Sequence, residues 1–237
     1  MATRPTRILV IRFSSIGDIV LTAPAVASLR QGIHGPSEIH FLTKANMAPV
    51  VEGFGALVDH VHTIEKSTAE VQEALKGLNF DYVVDLHNNV RSRSIKRTLG
   101  LISFTVDKQN WAKWLLVRGW RRKPVTSIVE RYVEAFAGAF GAVVPERWPA
   151  LFEKASAPAE LPATYAVLAI GATHSGKQLT PSLMQTIVDR SSVPVVMIGG
   201  LGDTKRAKTL EDSNVIPLVG KTTLAESAAV LRGARHV

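Results

Sequence analysis

A polar turn near the amino terminus carries the first residues that could do chemistry. The apolar run Ile8–Phe13 leads into Ser14-Ser15-Ile16-Gly17-Asp18, and a segment with helical periodicity follows. The N–H groups of a turn that opens a helix favour anions, and the helix dipole stabilises an ionised aspartate there. Such a carboxylate can act as a general base, or it can simply cap the helix. On residue type alone, the capping role of Asp18 is the favoured interpretation.

A second loop with phosphate-binding character lies in the second half of the chain. Gly171–Lys177 follows an apolar run and fits G-x-x-x-x-G-K, which is most of a P-loop and would indicate an NTPase or kinase. Two features argue against that alternative. Gln178 stands where a P-loop places a Ser or Thr on magnesium. Thr180 with Pro181 indicates a helix that begins later than a P-loop helix does.

An acidic residue follows another apolar run in the same half. Asp203 comes directly after Gly199–Gly202, at a point where an acid commonly accepts hydrogen bonds from ribose hydroxyls. It can also cap the helix predicted to begin at Thr204. The dinucleotide pattern G-x-G-x-x-G is absent after the first strand of either half, which weakens the interpretation as a nicotinamide-dependent dehydrogenase.

Most of the positive charge lies in one segment. Residues 91–123 contain ten Lys and Arg and one acid, Asp107, so the segment carries +9 while the whole chain carries +8. Such a patch indicates an anionic partner, and nucleic acid is the weakest choice because no nucleic-acid-binding motif accompanies the charge. The later basic residues alternate with tryptophans, which suits a membrane interface or, equally, a charged helix face over core tryptophans. They are Lys108, Lys113, Arg118 and Arg121–Lys123, with Trp111, Trp114 and Trp120 among them.

Composition limits the compartment and the chemistry. The 237 residues include no cysteine, so disulfides, thiolate nucleophiles and cysteine metal sites are excluded. No apolar run reaches the length of a membrane span, and the polar start lacks the apolar core of a secretory signal, which predicts a cytoplasmic protein. His60 and His62 would share a strand face, but two histidines without a third ligand predict no metal site. No cofactor is expected either.

Strand and helix patterns alternate along the chain, as in α/β folds. The apolar runs are continuous, which predicts parallel sheets buried on both faces. Four prolines in 145–162 indicate a linker between two doubly wound Rossmann-like halves, 1–144 and 163–237, with a ligand cleft between them at the carboxyl ends of the strands. The predicted strands are Arg7–Phe13, Glu38–Thr43, Val61–Ile64, Tyr82–Leu86, Ile102–Val106, Tyr165–Ile170, Val195–Ile198 and Val215–Pro217. The predicted helices are Ile19–Arg30, Ala69–Leu78, Arg91–Leu99, Ser127–Phe140, Ser182–Asp189, Thr204–Leu210 and Leu224–Leu231.

Taken together, these motifs resemble the bacterial heptosyltransferases, a family of inverting glycosyltransferases with a GT-B fold. The family pattern of a strand, [ST]-S-x-G-D and a helix bearing T-x-P-A is complete in this chain through Ala25. The likeness then continues, in order, along nearly the whole sequence. It includes Asp81–Ser92, Glu130-Arg131-Tyr132, Gly171-Ala172 with Lys177, Ile198-Gly199-Gly200 with Asp203, and Leu218–Leu224.

The resemblance implies an activity and a donor site. The chain would move a heptose from a nucleotide-sugar donor, ADP-heptose in the family, to an anionic sugar of the lipopolysaccharide core. Asp18 would be the base that takes the proton of the acceptor hydroxyl as ADP departs from the opposite face. Lys177 would stabilise the charge that develops on the leaving ADP. The implied donor-binding residues are Gly171, Thr173, Ser175, Lys177 and Asp203.

The resemblance also assigns the acceptor, a lipid-linked and often phosphorylated sugar, to the first half of the chain. Arginine suits phosphate and carboxylate groups because its planar fork can bond two oxygens at once. The segment 108–123 would give peripheral contact with the inner face of the cytoplasmic membrane. The implied acceptor-binding residues are Ser14, Ser15, Gly17, Arg91, Arg93, Lys96 and Arg97.

The sequence departs from the family pattern in two places. Many members have K-x-W-P where this chain has Lys177-Gln178-Leu179-Thr180-Pro181, so Leu179 replaces the Trp. In the family, the segment matching Leu231–Val237 continues into a strand and a D-[ST]-G-x-x-H donor motif, which predicts that the second domain is incomplete here. The chain as given is therefore expected to be marginally stable in its second half and to have negligible transferase activity. A non-catalytic binding module that kept the fold is the alternative.

Overall fold

Two parallel β-sheets, one in each half of the chain, organise the fold. The computed structural model describes residues 4–120, 122–158, 160–172, 175–210 and 213–237. Contacts divide the chain into two units, Met1–Leu151 and Phe152–Val237. The described part of 145–162 contains no helix or strand. None of the helices in these described ranges is long and apolar enough to cross a membrane.

The first unit is built on a five-stranded parallel sheet in the order β3-β2-β1-β4-β5, which confirms the predicted α/β class. Strand β1 pairs with β2 on one side and with β4 on the other. The chain order therefore reverses direction between β1 and β4. The strands are β1 Thr6–Ile11, β2 Ser37–Lys44, β3 His60–Ile64, β4 Tyr82–Asp85 and β5 Ile102–Thr105. The helices are α1 Ile16–Val20, α2 Ala23–Gly32, α3 Ala48–Glu52, α4 Ala69–Gly77, α5 Val90–Leu99, α6 Asn110–Val117 and α7 Ile128–Phe140.

Capping residues fix both ends of α5 and α7. The Asn89 side chain accepts the Ser92 N–H at the start of α5, and Gly100 ends that helix in the left-handed conformation at φ 66°. Ser127 plays the same role at the start of α7, which ends at Gly141 with φ 62°. Glycine adopts this conformation without a Cβ penalty, so the predicted helix end at Gly141 is confirmed.

The predicted helix Ile19–Arg30 is wrong, because the structure has two helices there. Helix α1 begins at Ile16, so Asp18 is its third residue, and α2 begins only at Ala23. Pro24 explains the break, since it has no N–H to donate to the carbonyl four residues earlier and its ring would clash with it. The short helix α3 and helix α6 were not predicted at all.

The second unit contains a three-stranded parallel sheet in the order β6-β7-β8. Ala166 of the first strand also forms a parallel bridge with His236, on the edge opposite its partner strand, as expected for a strand that starts there. The chain order therefore reverses beside β6 in this unit. The strands are β6 Ala166–Ala169, β7 Val195–Ile198 and β8 Val215–Pro217, and the helices are α8 Pro181–Asp189, α9 Thr204–Ala207 and α10 Leu224–Gly233.

Candidate active site

The loops after β1 and β4 meet where the strand order of the first sheet reverses, which is where α/β sheets bind ligands. Arg12, just after β1, is buried and joins the two loops. Its Nη1 donates to the carbonyl of Leu86 at 2.8 Å, and its Nε donates to the carbonyl of Ser14 at 2.8 Å. Its remaining nitrogen, Nη2, lies 2.6 Å from Oδ2 of Asp18. The guanidinium thus connects β1, the end of β4 and α1.

Asp18 lies at the surface of this site, with 42% of its side chain exposed. Its Oδ2 accepts hydrogen bonds from the backbone N–H of Ser15 at 3.3 Å and from Ser15 Oγ at 3.1 Å, besides the Arg12 ion pair. Burial by itself raises the pKa of Asp18, but the charge of Arg12 and the Ser15 hydrogen bonds outweigh it, and the pKa falls below the ordinary 3.8. The carboxylate is therefore ionised at neutral pH.

The two oxygens of Asp18 have different surroundings. All three polar contacts fall on Oδ2, and among the described residues none falls on Oδ1. Ser15 and Gly17 are exposed, and no atom lies within 4 Å of the place where a Gly17 Cβ would stand. The predicted turn residues, with half-buried Ser14, therefore lie together in one open turn that leaves an oxygen of an ionised carboxylate free to accept a proton.

Two further aromatic residues surround Arg12 and were not singled out as site residues from the sequence. The Tyr132 ring lies 5.9 Å from the Arg12 guanidinium carbon, and burial raises the Tyr132 pKa to about 12. The His87 ring lies 5.3 Å from the ring of Phe13. Burial, with the charges of Arg12 and Lys108, lowers the His87 pKa to about 4, so this ring is neutral beside Asp18 at physiological pH.

The predicted basic residues of α5 divide into two groups. Lys96 points inward: its Nζ lies 2.9 Å from Oδ2 of Asp85, whose side chain is fully buried, and donates to Thr105 Oγ1 at 2.7 Å. Ser92 Oγ donates to the same carboxylate at 2.8 Å. The charge of Lys96 is therefore matched inside the unit, and its assignment to acceptor binding stays a prediction.

The other predicted α5 residues, three arginines, are exposed and form no ion pair with any residue that the structure describes. Arg91 and Arg93 lie in the first turn of α5, next to the carboxyl end of β4. Arg97 lies six residues after Arg91, which is about 9 Å along the helix axis, away from that edge. The first two are therefore better placed for a ligand beside Asp18.

Helix α6 and the turn that follows it place a group of tryptophans on the surface of the first unit. The exposed fractions of Trp111 and Trp120 are 70% and 69%, so the alternative of core tryptophans is wrong. Trp114 stacks on Trp111 with ring centroids 4.9 Å apart, and the Arg118 guanidinium lies 4.2 Å from the centre of the Trp114 ring. The helix has no fully buried residue, and Arg121 lies outside the described residues.

In the second unit, the predicted donor loop follows β6. Lys177 is exposed at the end of a short 3₁₀ turn, and the side-chain amide of Gln178 spans the loop by donating to the carbonyl of Ala172 at 2.9 Å. Helix α8 begins at Pro181 with Thr180 as its cap, as predicted. A P-loop helix would begin at the lysine, so the NTPase alternative is wrong. Thr173 and the side chain of Ser175 lie outside the described residues.

Asp203 lies at the carboxyl ends of β6 and β7 and connects the loops that follow them. Its Oδ2 accepts the N–H of Gly200 at 3.0 Å, and its Oδ1 lies 2.7 Å from Arg206 Nη2. Arg206 also donates to the carbonyl of Ile170. A Cβ on Gly171 would stand 3.1 Å from Asp203 Oδ2, which is a tight contact, so glycine lets the two loops approach without displacing the carboxylate. Asp203 therefore orders the loop whose predicted role is to hold the donor.

Sequence and structure comparisons agree on the relatives of this chain. The family profile described as "Glycosyltransferase family 9 (heptosyltransferase)" matches residues 68–237. A comparison with curated proteins finds no significant match.

Among solved structures, "E. coli heptosyltransferase WaaC with ADP" is 24% identical, with a TM-score of 0.76, over 97% of this chain and 79% of that one. The glycosyl transferase family 9 protein from Veillonella parvula DSM 2008 is 19% identical, with a TM-score of 0.72, over 98% and 74%. E. coli ADP-heptose lps heptosyltransferase II is 17% identical, with a TM-score of 0.69, over 97% and 77%. These likenesses show a GT-B fold.

Proposed function

The chain belongs to glycosyltransferase family 9, the heptosyltransferase family, and from this premise we propose that it transfers a heptose from ADP-heptose to an anionic sugar of the lipopolysaccharide core. One observation carries the proposal: an ionised, partly exposed Asp18 at the point where the strand order reverses, with Oδ1 free of contacts among the described residues. The donor is inferred from WaaC, which has been solved with ADP and with ADP-2-deoxy-2-fluoro heptose.

The proposed reaction is a single displacement at the anomeric carbon of the heptose. Oδ1 of Asp18 accepts the proton of an acceptor hydroxyl, and the hydroxyl oxygen forms the new bond to that carbon. The bond between the carbon and the ADP oxygen breaks on the opposite face, and ADP leaves with the electron pair. The configuration inverts, and no covalent enzyme intermediate is needed. Arg12 and Ser15 hold the carboxylate through Oδ2 throughout.

Donor binding is assigned to the loop after β6 and to Asp203. Exposed Lys177 supplies a positive charge for the departing diphosphate, which stabilises the transition state more than the ground state. Thr173 and Ser175 are proposed to bond phosphate oxygens, and the backbone at Gly171 lets the donor approach closely. Asp203 is proposed to receive the ribose hydroxyls in addition to ordering the loop.

Acceptor binding is assigned to the open turn of α1 and to α5. Arg91 and Arg93 lie at the sheet edge and are proposed to bind phosphate or carboxylate groups of the acceptor, with Arg97 as a more distant contribution. Lys96 is proposed to act through Asp85, by holding α5 against β4. Ser14, Ser15 and Gly17 line the path of the attacking hydroxyl.

We propose, further, that the protein works in the cytoplasm at the inner face of the membrane, where a lipid-linked acceptor is available. The support is the surface group of Trp111, Trp114 and Trp120 beside the basic residues of 108–123. Indole rings and cationic side chains together favour the interface of an anionic bilayer.

A transfer assay with ADP-heptose and heptose-free lipopolysaccharide core tests the function, with Asp18→Asn as the key variant. The variant is expected to lower kcat by about 10²-fold or more while ADP affinity stays the same, because only the base is lost. Asp59→Asn, another partly exposed, arginine-paired aspartate in the same unit, is the control and is expected to retain turnover. Near-normal turnover of Asp18→Asn would contradict the assignment. Faster transfer from another nucleotide-sugar, or to an uncharged acceptor in preference to the core, would contradict the proposed donor and acceptor.

A further inference from the structure

A cluster of histidines lies in the first unit, away from the candidate active site. Strands β2 and β3 pair in parallel so that His40 stands opposite His60, and Leu42 stands opposite His62. Because side chains alternate between the faces of a sheet, Glu38 and His40 of β2 lie on the same face of the sheet as His60 and His62 of β3. The sequence predicted no metal site from His60 and His62 because it showed no third ligand, and pairing with β2 supplies one.

The ring of His40 lies at the centre of this cluster, and one of its two nitrogens lacks a hydrogen-bond partner among the described residues. It is only 3% exposed, and its Nδ1 lies 2.9 Å from Nε2 of His62. Its other nitrogen, Nε2, is buried without a hydrogen-bond partner among the described residues. The Glu38 carboxylate is 3.7 Å from Nε2, which is too long for a hydrogen bond. Buried polar atoms nearly always have a hydrogen-bond or ligand partner, so we expect this nitrogen to bind a group other than the described residues.

We propose that Glu38, His40 and His60 bind a zinc ion. One ligand atom from each of the three residues lies within 4.8 Å of the other two. In a tetrahedral site with bonds of about 2.0–2.1 Å the ligand atoms are roughly 3.3 Å apart, so a small inward rotation of the exposed His60 ring closes the site. Three protein ligands with water in the fourth position form an established zinc arrangement, and imidazole selects zinc over calcium and magnesium.

Two neighbouring side chains prepare the ligands. The hydrogen bond between His62 and Nδ1 of His40 orients the His40 ring so that Nε2 faces Glu38. Arg7 Nε donates to Oε2 of Glu38 at 2.7 Å and fixes the carboxylate.

The position of the site indicates a structural role. His40 precedes the end of β2 at Lys44 by four residues, about 13 Å of strand, so the site is remote from the carboxyl edge that carries Asp18. The metal would join the edge strand β3 to β2. We therefore expect it to stabilise the first unit and to take no part in sugar transfer.

Calorimetric titration of the tag-free chain with Zn²⁺ after treatment with EDTA tests the site. We expect one ion per chain and a rise of Tm on binding, because a metal held only by the native state stabilises it. His60→Ala is expected to weaken binding at least tenfold and to abolish the rise of Tm, with the metal-free Tm unchanged because this side chain is exposed. His34→Ala, which removes another exposed histidine of the same unit, is expected to leave binding as it was.

Glu38→Gln and cobalt provide independent readouts. Glu38→Gln should also weaken zinc binding, and Co²⁺ should give the visible absorption of a tetrahedral site in the unaltered chain but not in His60→Ala. The proposal is overturned if the unaltered chain binds no zinc, or if His60→Ala and His34→Ala bind it equally. Sugar transfer measured with and without EDTA is a separate readout: equal rates support a structural ion, and a failed transfer proposal would leave the zinc titration unaffected.

Discussion

Arg12 and Asp18 form an ion pair in which the arginine is buried and the aspartate is half exposed. The same guanidinium is bonded to the carbonyls of Ser14 and Leu86, so it is held in place by the protein and not by Asp18 alone. This geometry keeps the proposed base ionised and fixes its orientation. It also makes the base weaker, because a carboxylate with a lowered pKa holds a proton less strongly.

Replacement of Arg12 by Met is expected to move the acid limb of the pH profile of kcat/KM to higher pH. Without the arginine charge, the effect of burial on Asp18 is opposed only by the Ser15 hydrogen bonds, so its pKa rises and ionisation requires a higher pH. At pH 8 the variant still has an ionised Asp18, and any loss of rate there reports lost positioning. Arg12→Lys should restore the limb in part. An acid limb that does not move in Arg12→Met would refute this account of Asp18.

The sequence predicts a local motif more readily than a contact between residues that are distant along the chain. The S-S-x-G-D string is local and follows a strand, so its resemblance to the family pattern is enough to identify Asp18 as the candidate base, although residue type alone favours a capping role. The partner of Arg12 could not be found in this way, because Leu86 is 74 residues away and comes into reach only when β1 pairs with β4. The available signal was a single charged residue directly after the apolar run Ile8–Ile11, and a buried charge in that position requires partners.

Helix α5 shows the same limit at the scale of elements. The sequence assigns Arg91, Arg93, Lys96 and Arg97 to acceptor binding as one group, which treats their charges as equivalent. The packing of α5 on β4 and β5 places Lys96 over the fully buried Asp85, while Arg97 remains outside. A sequence pattern shows which residues lie on one side of a helix. The element that packs against the helix decides which of their charges are buried.

Lys96→Met is expected to destabilise the first unit by about 3 kcal/mol or more, because it leaves the buried carboxylate of Asp85 without its cation. Arg91→Gln with Arg93→Gln is the matched comparison: exposed charges contribute little to stability, so unfolding in urea should be almost unchanged while acceptor KM rises. Urea titration and acceptor kinetics of both variants measure this. Equal stability of Lys96→Met and the unaltered chain would show that the Lys96–Asp85 pair is not structural.

Gly199→Ala is expected to destabilise the second unit by about 1–3 kcal/mol and to weaken ADP binding. Its Cβ would stand 3.1 Å from Ile170 Cγ1 and 3.2 Å from Asp203 Oδ2, so Asp203 must move away from the Gly200 N–H. Gly202→Ala is the control, because nothing lies within 4 Å of that Cβ and the turn can accept it. Urea unfolding and calorimetry with ADP compare the two alanines, and a Gly199→Ala chain that binds ADP normally would speak against the role of Asp203.

At the scale of the whole molecule, the net charge of +8 is the product of one segment, since residues 91–123 alone carry +9. The structure adds that this segment presents charge and aromatic area together. Trp111, Val117 and Trp120 are exposed next to Arg118. Composition alone could not choose between core and surface tryptophans, because α6 has an aromatic content that suits either until the packing of the unit is known.

We expect the first unit to bind anionic membranes through α6. Co-sedimentation with vesicles that contain anionic phospholipid should be strong at low salt and weaker at 0.5 M salt, since the Debye length falls from about 10 Å at 0.1 M to a few ångströms near 1 M. Replacing Trp111 and Trp120 by Ala should lower vesicle binding and leave transfer to a short, lipid-free acceptor unchanged. Trp148→Ala, which removes an exposed tryptophan outside the basic segment, should bind vesicles normally. If replacement of Trp111, Trp120 or Trp148 changes vesicle binding to the same extent, the overall positive charge binds the vesicles and α6 is not the contact. If neutral vesicles bind as well as anionic ones, the basic residues of 108–123 have no part in it.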